Sequence, residues 1–131
     1  DLSDLEYLKK IFKSQQSVGI GFDIHRLVPK RKLFLAGLKI KSKLGTLGHS
    51  DGDPVLHSIT DAVLGACKMG DIGQMFSDKS KKFKNIRSTI LLRKVIEQIN
   101  SKGYYINNIY LKKPPTYEHS RIKRKKLRKT Y

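Results

Sequence analysis

Residues 18–25 alternate strictly: Val18, Ile20, Phe22 and Ile24 fall on one face, Gly19, Gly21, Asp23 and His25 on the other. A period of two predicts a half-buried strand whose polar side chains gather toward its C-terminal end. Residues 33–40 form a second apolar run, interrupted at Gly37, and read as another strand. From Val55 onward the period lengthens to that of a helix, with Val55, Ile59, Ala62, Val63 and Ala66 as its core stripe. Asp53 stands where an N-cap belongs, Pro54 takes the first helical position, and Gly70 stops the helix after Met69. A second amphipathic helix, over 87–102, carries Ile90, Leu91, Val95 and Ile99 and stops at Gly103. Residues 104–111 return to strand chemistry, and Leu5, Leu8, Ile11 and Phe12 recur at helical spacing near the start. These periodicities allow an α+β fold: a small β-sheet with two helices packed on one face.

Composition narrows the setting. A chain of 131 residues holds one compact domain, long enough to bury a core without disulfides. No apolar run approaches the ~20 residues of a membrane span, and no signal peptide opens the chain. The single cysteine, Cys67, excludes a disulfide framework or a multi-cysteine zinc site, fits a reducing compartment, and reads as a small buried residue of the first helix. Charge is the outlier. The formal net charge is +17, and residues 112–131 alone hold nine Lys or Arg against one Glu. That basic segment is the clearest compositional boundary, and such a surplus points to phosphate-bearing partners.

The chemistry is concentrated between positions 23 and 78, which contain three of the four histidines and six of the eleven acidic residues. Asp23 and His25 are two apart and leave the same face of a strand. His57 lies one turn into the first helix, with Asp61 on the same face four residues later. One carboxylate and two imidazoles make a sound zinc set that leaves a fourth position for substrate. The same residues also fit an ordinary strand end and helix surface. His49 and Ser50, just ahead of a helix start, can offer a ring N–H and backbone amides to an anion, or can form a plain turn. Asp53 reads as an N-cap or as a residue orienting a histidine, and Asp61 as a hydrogen-bonding partner without a firm role.

Four motifs in register carry a resemblance. They are Gly21-Phe22-Asp23-Ile24-His25, then His49-Ser50-Asp51-Gly52-Asp53-Pro54, then His57-Ser58-Ile59-Thr60-Asp61-Ala62-Val63-Leu64-Gly65-Ala66, and Gly70-Asp71-Ile72-Gly73. Over residues 18–111 the chain resembles the 2-C-methyl-D-erythritol 2,4-cyclodiphosphate synthase family. The resemblance implies this same α+β fold and a phosphorus–oxygen lyase of non-mevalonate isoprenoid biosynthesis, a homotrimer with active sites between subunits. The substrate implied is 4-diphosphocytidyl-2-C-methyl-D-erythritol 2-phosphate, whose 2-phosphate attacks the β-phosphorus to form the cyclic diphosphate and release CMP. Asp23, His25 and His57 match the family's zinc ligands, and His49 the residue assigned to transition-state stabilisation. Substrate contacts are implied for Asp23, Ile24, His25, His49 and Ser50, for Asp71, Ile72 and Gly73, and for Phe76, Ser77, Asp78, Lys79 and Ser80. Ser77 stands where the family usually has proline.

The resemblance stops at Leu111. The family's cytidine-gripping loop and its Thr-Thr-x-Glu motif, which serves a second metal, normally Mg²⁺, find no counterpart in Lys112–Tyr131. The resulting division is a linker or leading helix over 1–16, an incomplete synthase domain over 17–111, and a disordered basic tail over 112–131 in which His119 is solvated. A truncated or frame-shifted reading frame accounts for that pattern, and the chain as written is expected to be an impaired fragment. The chain opens at Asp1 without methionine, so residues 1–16 fit the linker of a fusion to a cytidylyltransferase and equally the first helix of a stand-alone enzyme. The expected location is cytoplasmic, a processed plastid form reading the same way. The competing function is a non-enzymatic nucleic-acid-binding chain using the basic tail. Against it, the cluster is interleaved with no aromatic residues beyond Tyr117 and Tyr131.

Overall fold

The computed structural model describes residues 1–12, 16–77 and 79–112. The proposed contact Asp78 and the segment from Lys113 to Tyr131, with His119, lie outside the described residues. Helix α1 spans Leu2–Phe12. Four short strands follow: β1 (Leu27–Pro29), β2 (Leu33–Leu35), β3 (Leu38–Ile40) and β4 (Leu44–Thr46). They pair as two antiparallel ribbons, β1 with β4 and β2 with β3. Helices α2 (Pro54–Ala66), α3 (Ile72–Met75) and α4 (Ser88–Ser101) complete the order, with a single 3₁₀ turn at Lys81–Phe83 before α4.

The break expected at Gly37 is a hairpin turn. Leu35 pairs with Leu38, and the two residues between them, Ala36 and Gly37, both have positive φ, at 52° and 79°. That is the two-residue turn whose twist matches antiparallel strands. Asp53 holds it from across the fold. Its fully buried carboxylate accepts the amides of Ala36 and Gly37 while also capping α2 through Val55 and Leu56. Asp53 is therefore an N-cap, and it orients a turn rather than a histidine.

The core lies between α2 and α4. Val63 and Leu64 meet Leu91, Val95 and Ile99, and Phe76 closes one end. On α4 the expected stripe is present except for Ile90, which is exposed, and Ser88 joins it. On α2 the buried residues are Leu56, Thr60, Val63 and Leu64, so the buried stripe is rotated from the expected one and shares only Val63 with it. The small residues Ala62 and Ala66 face a different neighbour. A Cβ on Gly19 would stand 1.8 Å from the Ala62 carbonyl oxygen and 2.7 Å from the Ala66 amide nitrogen. Segment 16–26 thus runs against α2 backbone to backbone.

That segment is not a ladder strand, although its alternation is preserved. Gly19, Gly21, Asp23 and His25 are half-buried, while Val18, Ile20, Phe22 and Ile24 are exposed. Residues 104–111 are likewise extended but unladdered, leaving Tyr105 and Tyr110 exposed. A strand needs a partner to accept its backbone bonds, and neither segment pairs with a strand among the described residues. Cys67 caps the C-terminal end of α2 and is half-buried, and burial pushes its thiol pKa up. No helix among the described residues is long and apolar enough to cross a membrane.

Candidate metal and phosphate site

Segment 16–26 brings Asp23 and His25 alongside the first turn of α2, where His57 projects. His25 Nε2 lies 2.8 Å from Asp23 Oδ2 and 3.0 Å from His57 Nδ1, and His57 Nδ1 lies 3.1 Å from the same carboxylate oxygen. These three atoms form a nearly equilateral triangle. A tetrahedral zinc with ligands at ~2.0–2.1 Å has ligand–ligand edges of about 3.3 Å. The triangle's edges are about 0.2–0.5 Å shorter than those of one face of that tetrahedron, so a small outward shift of the three side chains would admit the ion.

Hydrogen bonding on the outer side of each ring supports the same reading. His25 Nδ1 is 2.8 Å from the Leu47 carbonyl oxygen, which only accepts, so Nδ1 carries the proton and Nε2 turns toward the triangle. Leu47 in turn donates its amide to the Arg26 carbonyl at 2.8 Å, continuing the β1–β4 ribbon. His57 Nε2 is 2.9 Å from Ser88 Oγ and 3.0 Å from Ser50 Oγ. Nitrogen lone pairs and a carboxylate converging within about 3 Å repel unless protons or a cation lie between them. In the metal-free chain protons can fill that gap: burial pushes the Asp23 carboxyl upward, but hydrogen bonds from His25 and His57, with a proton on each inward nitrogen, and their charge outweigh it and hold it far below the usual carboxylate range. The donor set, spacing and electrostatics fit one divalent metal.

The rest of the site surrounds this triangle. Asp23, His25, His49, Ser50, His57, Ile72, Gly73 and Phe76 line one cleft, with Phe83 and Leu91 as apolar walls. His49 Nε2 donates to the Ser80 carbonyl at 3.0 Å, which ties the loop after α3 to the cleft. Backbone bonds from Asn85 to the His49 carbonyl, 2.8 Å, and from Asp51 to the Ile86 carbonyl, 2.9 Å, stitch the two loops together. Ile24, Asp71, Ser77, Lys79 and Ser80 lie outside the cleft lining. Ile24 points to solvent, and Asp71 caps α3 through the Gln74 amide. Asp61 accepts the Ile72 amide at 2.8 Å and so sets the start of α3.

Several contributors are not among the predicted site residues. Arg31 grips the carbonyls of Thr46, Gly48 and Ser50 at 3.0–3.1 Å and shapes the loop ahead of α2. Ser88, Asp51 and Arg87 stand behind His57. Ser88 and Arg87 are distant in sequence and of ordinary type, while Asp51 sits in a loop where acidic residues usually make local turns.

The chain is 68% identical over 98 residues to the bifunctional enzyme IspD/IspF of Pelagibacter ubique, covering 75% of this chain and 26% of that protein. It is 53% identical over 92 residues to a 2-C-methyl-D-erythritol 2,4-cyclodiphosphate synthase of Clostridium botulinum, covering 70% and 59%. A solved 2C-methyl-D-erythritol-2,4-cyclodiphosphate synthase in its CDP-bound form superposes with a TM-score of 0.61 at 43% identity, covering 66% of this chain and 57% of that one. The chain thus spans under two thirds of the length of each. The YgbB family model matches residues 16–126, a span that includes the metal triangle, the cleft and much of the basic segment. With that match over most of its length, the chain belongs to the YgbB family.

Proposed function

We propose that this chain carries the metal- and phosphate-binding part of a 2-C-methyl-D-erythritol 2,4-cyclodiphosphate synthase. The observation that carries the proposal is the Asp23–His25–His57 triangle set in the same cleft as His49 and Ser50. The reaction is an intramolecular phosphoryl transfer. The 2-phosphate oxygen of 4-diphosphocytidyl-2-C-methyl-D-erythritol 2-phosphate bonds to the β-phosphorus. The bond from that phosphorus to the oxygen bridging the α-phosphate breaks, and CMP leaves. Such a reaction asks the protein mainly to bring two anions together and neutralise their charge.

Asp23, His25 and His57 would hold Zn²⁺, which when bound polarises the phosphate oxygens. His49, whose Nε2 is held by the Ser80 carbonyl, would donate through Nδ1, as an imidazolium, to a phosphate oxygen as charge develops there. Ser50 lines the same cleft, with its hydroxyl held against His57 Nε2 at 3.0 Å. Asp71, Ile72 and Gly73 would form the segment that holds the methylerythritol unit, and Phe76, Ser77, Asp78, Lys79 and Ser80 the substrate-contacting loop that follows. Mg²⁺ belongs in the resemblance to a Thr-Thr-x-Glu motif, which this sequence does not contain.

A homotrimer is supported by the exposed apolar row of Val18, Ile20, Phe22 and Ile24, which a neighbouring copy would cover. Fusion to a cytidylyltransferase is supported by the Pelagibacter ubique relative. A soluble nucleotide substrate and a single unpaired cysteine suit the cytoplasm. The test joins residues 1–111 to the remaining C-terminal region of the Clostridium botulinum relative and follows CMP release with Zn²⁺ and Mg²⁺ supplied. Metal-dependent formation of the cyclic diphosphate is expected. Absence of turnover in a folded, metal-loaded chimaera would overturn the assignment.

A further inference from the structure

We infer that Asp51, acting through Ser88, holds His57 in the tautomer that presents Nδ1 to a divalent metal. This rests on the reading of Asp23, His25 and His57 as metal ligands and adds a positioning pair behind them.

The argument is a count of hydrogens. Asp51 is buried, and an ionised carboxylate only accepts. Its Oδ2 receives Arg87 Nε at 3.0 Å and the Ser88 amide at 3.1 Å. Its Oδ1 receives the Asp53 amide at 3.3 Å and the Ser88 hydroxyl in a short bond. Ser88 has one hydroxyl hydrogen, and it is directed to Asp51. The oxygen's lone pairs therefore face His57 Nε2, 2.9 Å away. A stable contact there requires the hydrogen to be on Nε2, which leaves Nδ1 as the lone-pair nitrogen on the Asp23–His25 side. Ser50 Oγ, 3.0 Å from the same Nε2, is compatible with either direction and does not decide it.

The direction is anchored beyond Asp51. Arg87 Nη2 donates to the Gly37 carbonyl at 2.7 Å, and its guanidinium lies 4.1 Å from the Phe34 ring centroid. The β2–β3 hairpin thus fixes the arginine, the arginine fixes which carboxylate oxygen faces it, and the other oxygen is left for Ser88. Replacing Asp51 by Asn would reverse the order. The amide oxygen would face the charged Arg87, the amide NH₂ would donate to Ser88, and the Ser88 hydrogen would turn to His57 Nε2. A histidine held in the wrong tautomer by such an exchange loses function while its geometry is kept.

The experiment measures Zn²⁺ affinity of the 131-residue chain by competition with a chromophoric chelator, alongside the thermal midpoint of the metal-free chain. Asp51→Asn should weaken Zn²⁺ binding by about 10–100-fold, and Ser88→Ala by about tenfold. Asp51→Ala, which releases Ser88 without reversing it, should bind Zn²⁺ more tightly than Asp51→Asn although it packs less well. A purely structural role would rank the variants the same way in affinity and in thermal midpoint. Unaltered affinity in folded Asp51→Asn overturns the relay, and where that variant does not fold, unaltered affinity in Ser88→Ala does so. If the unsubstituted chain binds no Zn²⁺, the ligand reading and the relay both fall; if it binds and His57→Ala does not, only the relay is at stake.

Discussion

A Cβ atom built on Gly21 would stand 1.8 Å from the carbonyl oxygen of Ser58. No rotamer change relieves such a contact, because both partners are backbone. The glycine lets the chain lie directly on α2, and that approach carries Asp23 and His25, two and four residues on, to within bonding reach of His57. Gly21→Ala should therefore push the segment off the helix. The expected cost is about 1–3 kcal/mol or more in chemical denaturation, with Zn²⁺ binding weakened in parallel. Native-like affinity in a folded Gly21→Ala chain would show that the triangle forms without this contact.

The same residues show what the sequence could and could not disclose. The alternation over 18–25 correctly groups Gly19, Gly21, Asp23 and His25, because period two is a property of extended backbone alone. Which face is covered is a tertiary matter. Apolar side chains usually turn inward, yet here Val18 and Ile20 are 87% and 90% exposed, because glycine on the other face permits backbone contact with α2. The phase of α2 is misread for the same reason, since Ala62 and Ala66 count as apolar but serve close approach. On α4, where ordinary side-chain packing decides, Leu91, Val95 and Ile99 are legible. Asp23, His25 and His57 stand out by residue type. Ser88 does not, because 31 residues separate it from His57 and serine carries no pattern.

His49 and His57 share a cleft but hold different partners, so their substitutions should separate. In the chimaera with the Clostridium botulinum C-terminal region, His57→Ala removes one corner of the triangle and should lose both metal and turnover. His49→Ala removes a donor tied to Ser80, not to Asp23 or His25. It should keep stoichiometric Zn²⁺ and lose about 10²–10³ in kcat. Metal analysis and CMP release on the same preparations check the division, and zinc loss in His49→Ala would place that residue among the ligands.

Asp23 should leave a signature in acid. Its carboxyl is held far below the usual range in the folded chain, while the unfolded chain titrates at ~3.9. A depressed folded pKa contributes stability that is complete above the unfolded value and is lost as pH falls toward the folded one. From about pH 4 downward, the metal-free chain should lose up to ~1.4 kcal/mol per pH unit that Asp23→Asn does not lose. Urea midpoints at stepped pH measure this, and parallel slopes for the two chains would refute the ion-paired state of Asp23.

Asp61 follows His57 by one helical turn, yet its carboxylate reaches away from the triangle to the Ile72 amide, 2.8 Å distant. That bond joins α2 to the start of α3, whose first two residues, Ile72 and Gly73, line the cleft. The other acceptor at this helix start, Asp71, is occupied by the Gln74 amide and side-chain nitrogen, so it does not replace Asp61. Asp61→Ala would leave the Ile72 donor without its partner at a cost of about 1–3 kcal/mol, and the wall of the cleft would loosen. In the chimaera this should raise KM for the diphosphocytidyl substrate about tenfold, equivalent to ~1.4 kcal/mol of binding, while Zn²⁺ affinity stays as in the parent. Asp61→Asn keeps an acceptor oxygen and should recover most of the loss. A fall in Zn²⁺ affinity would move Asp61 into the metal site, and an unchanged KM in the folded Ala variant would show that the α3 wall does not contact substrate.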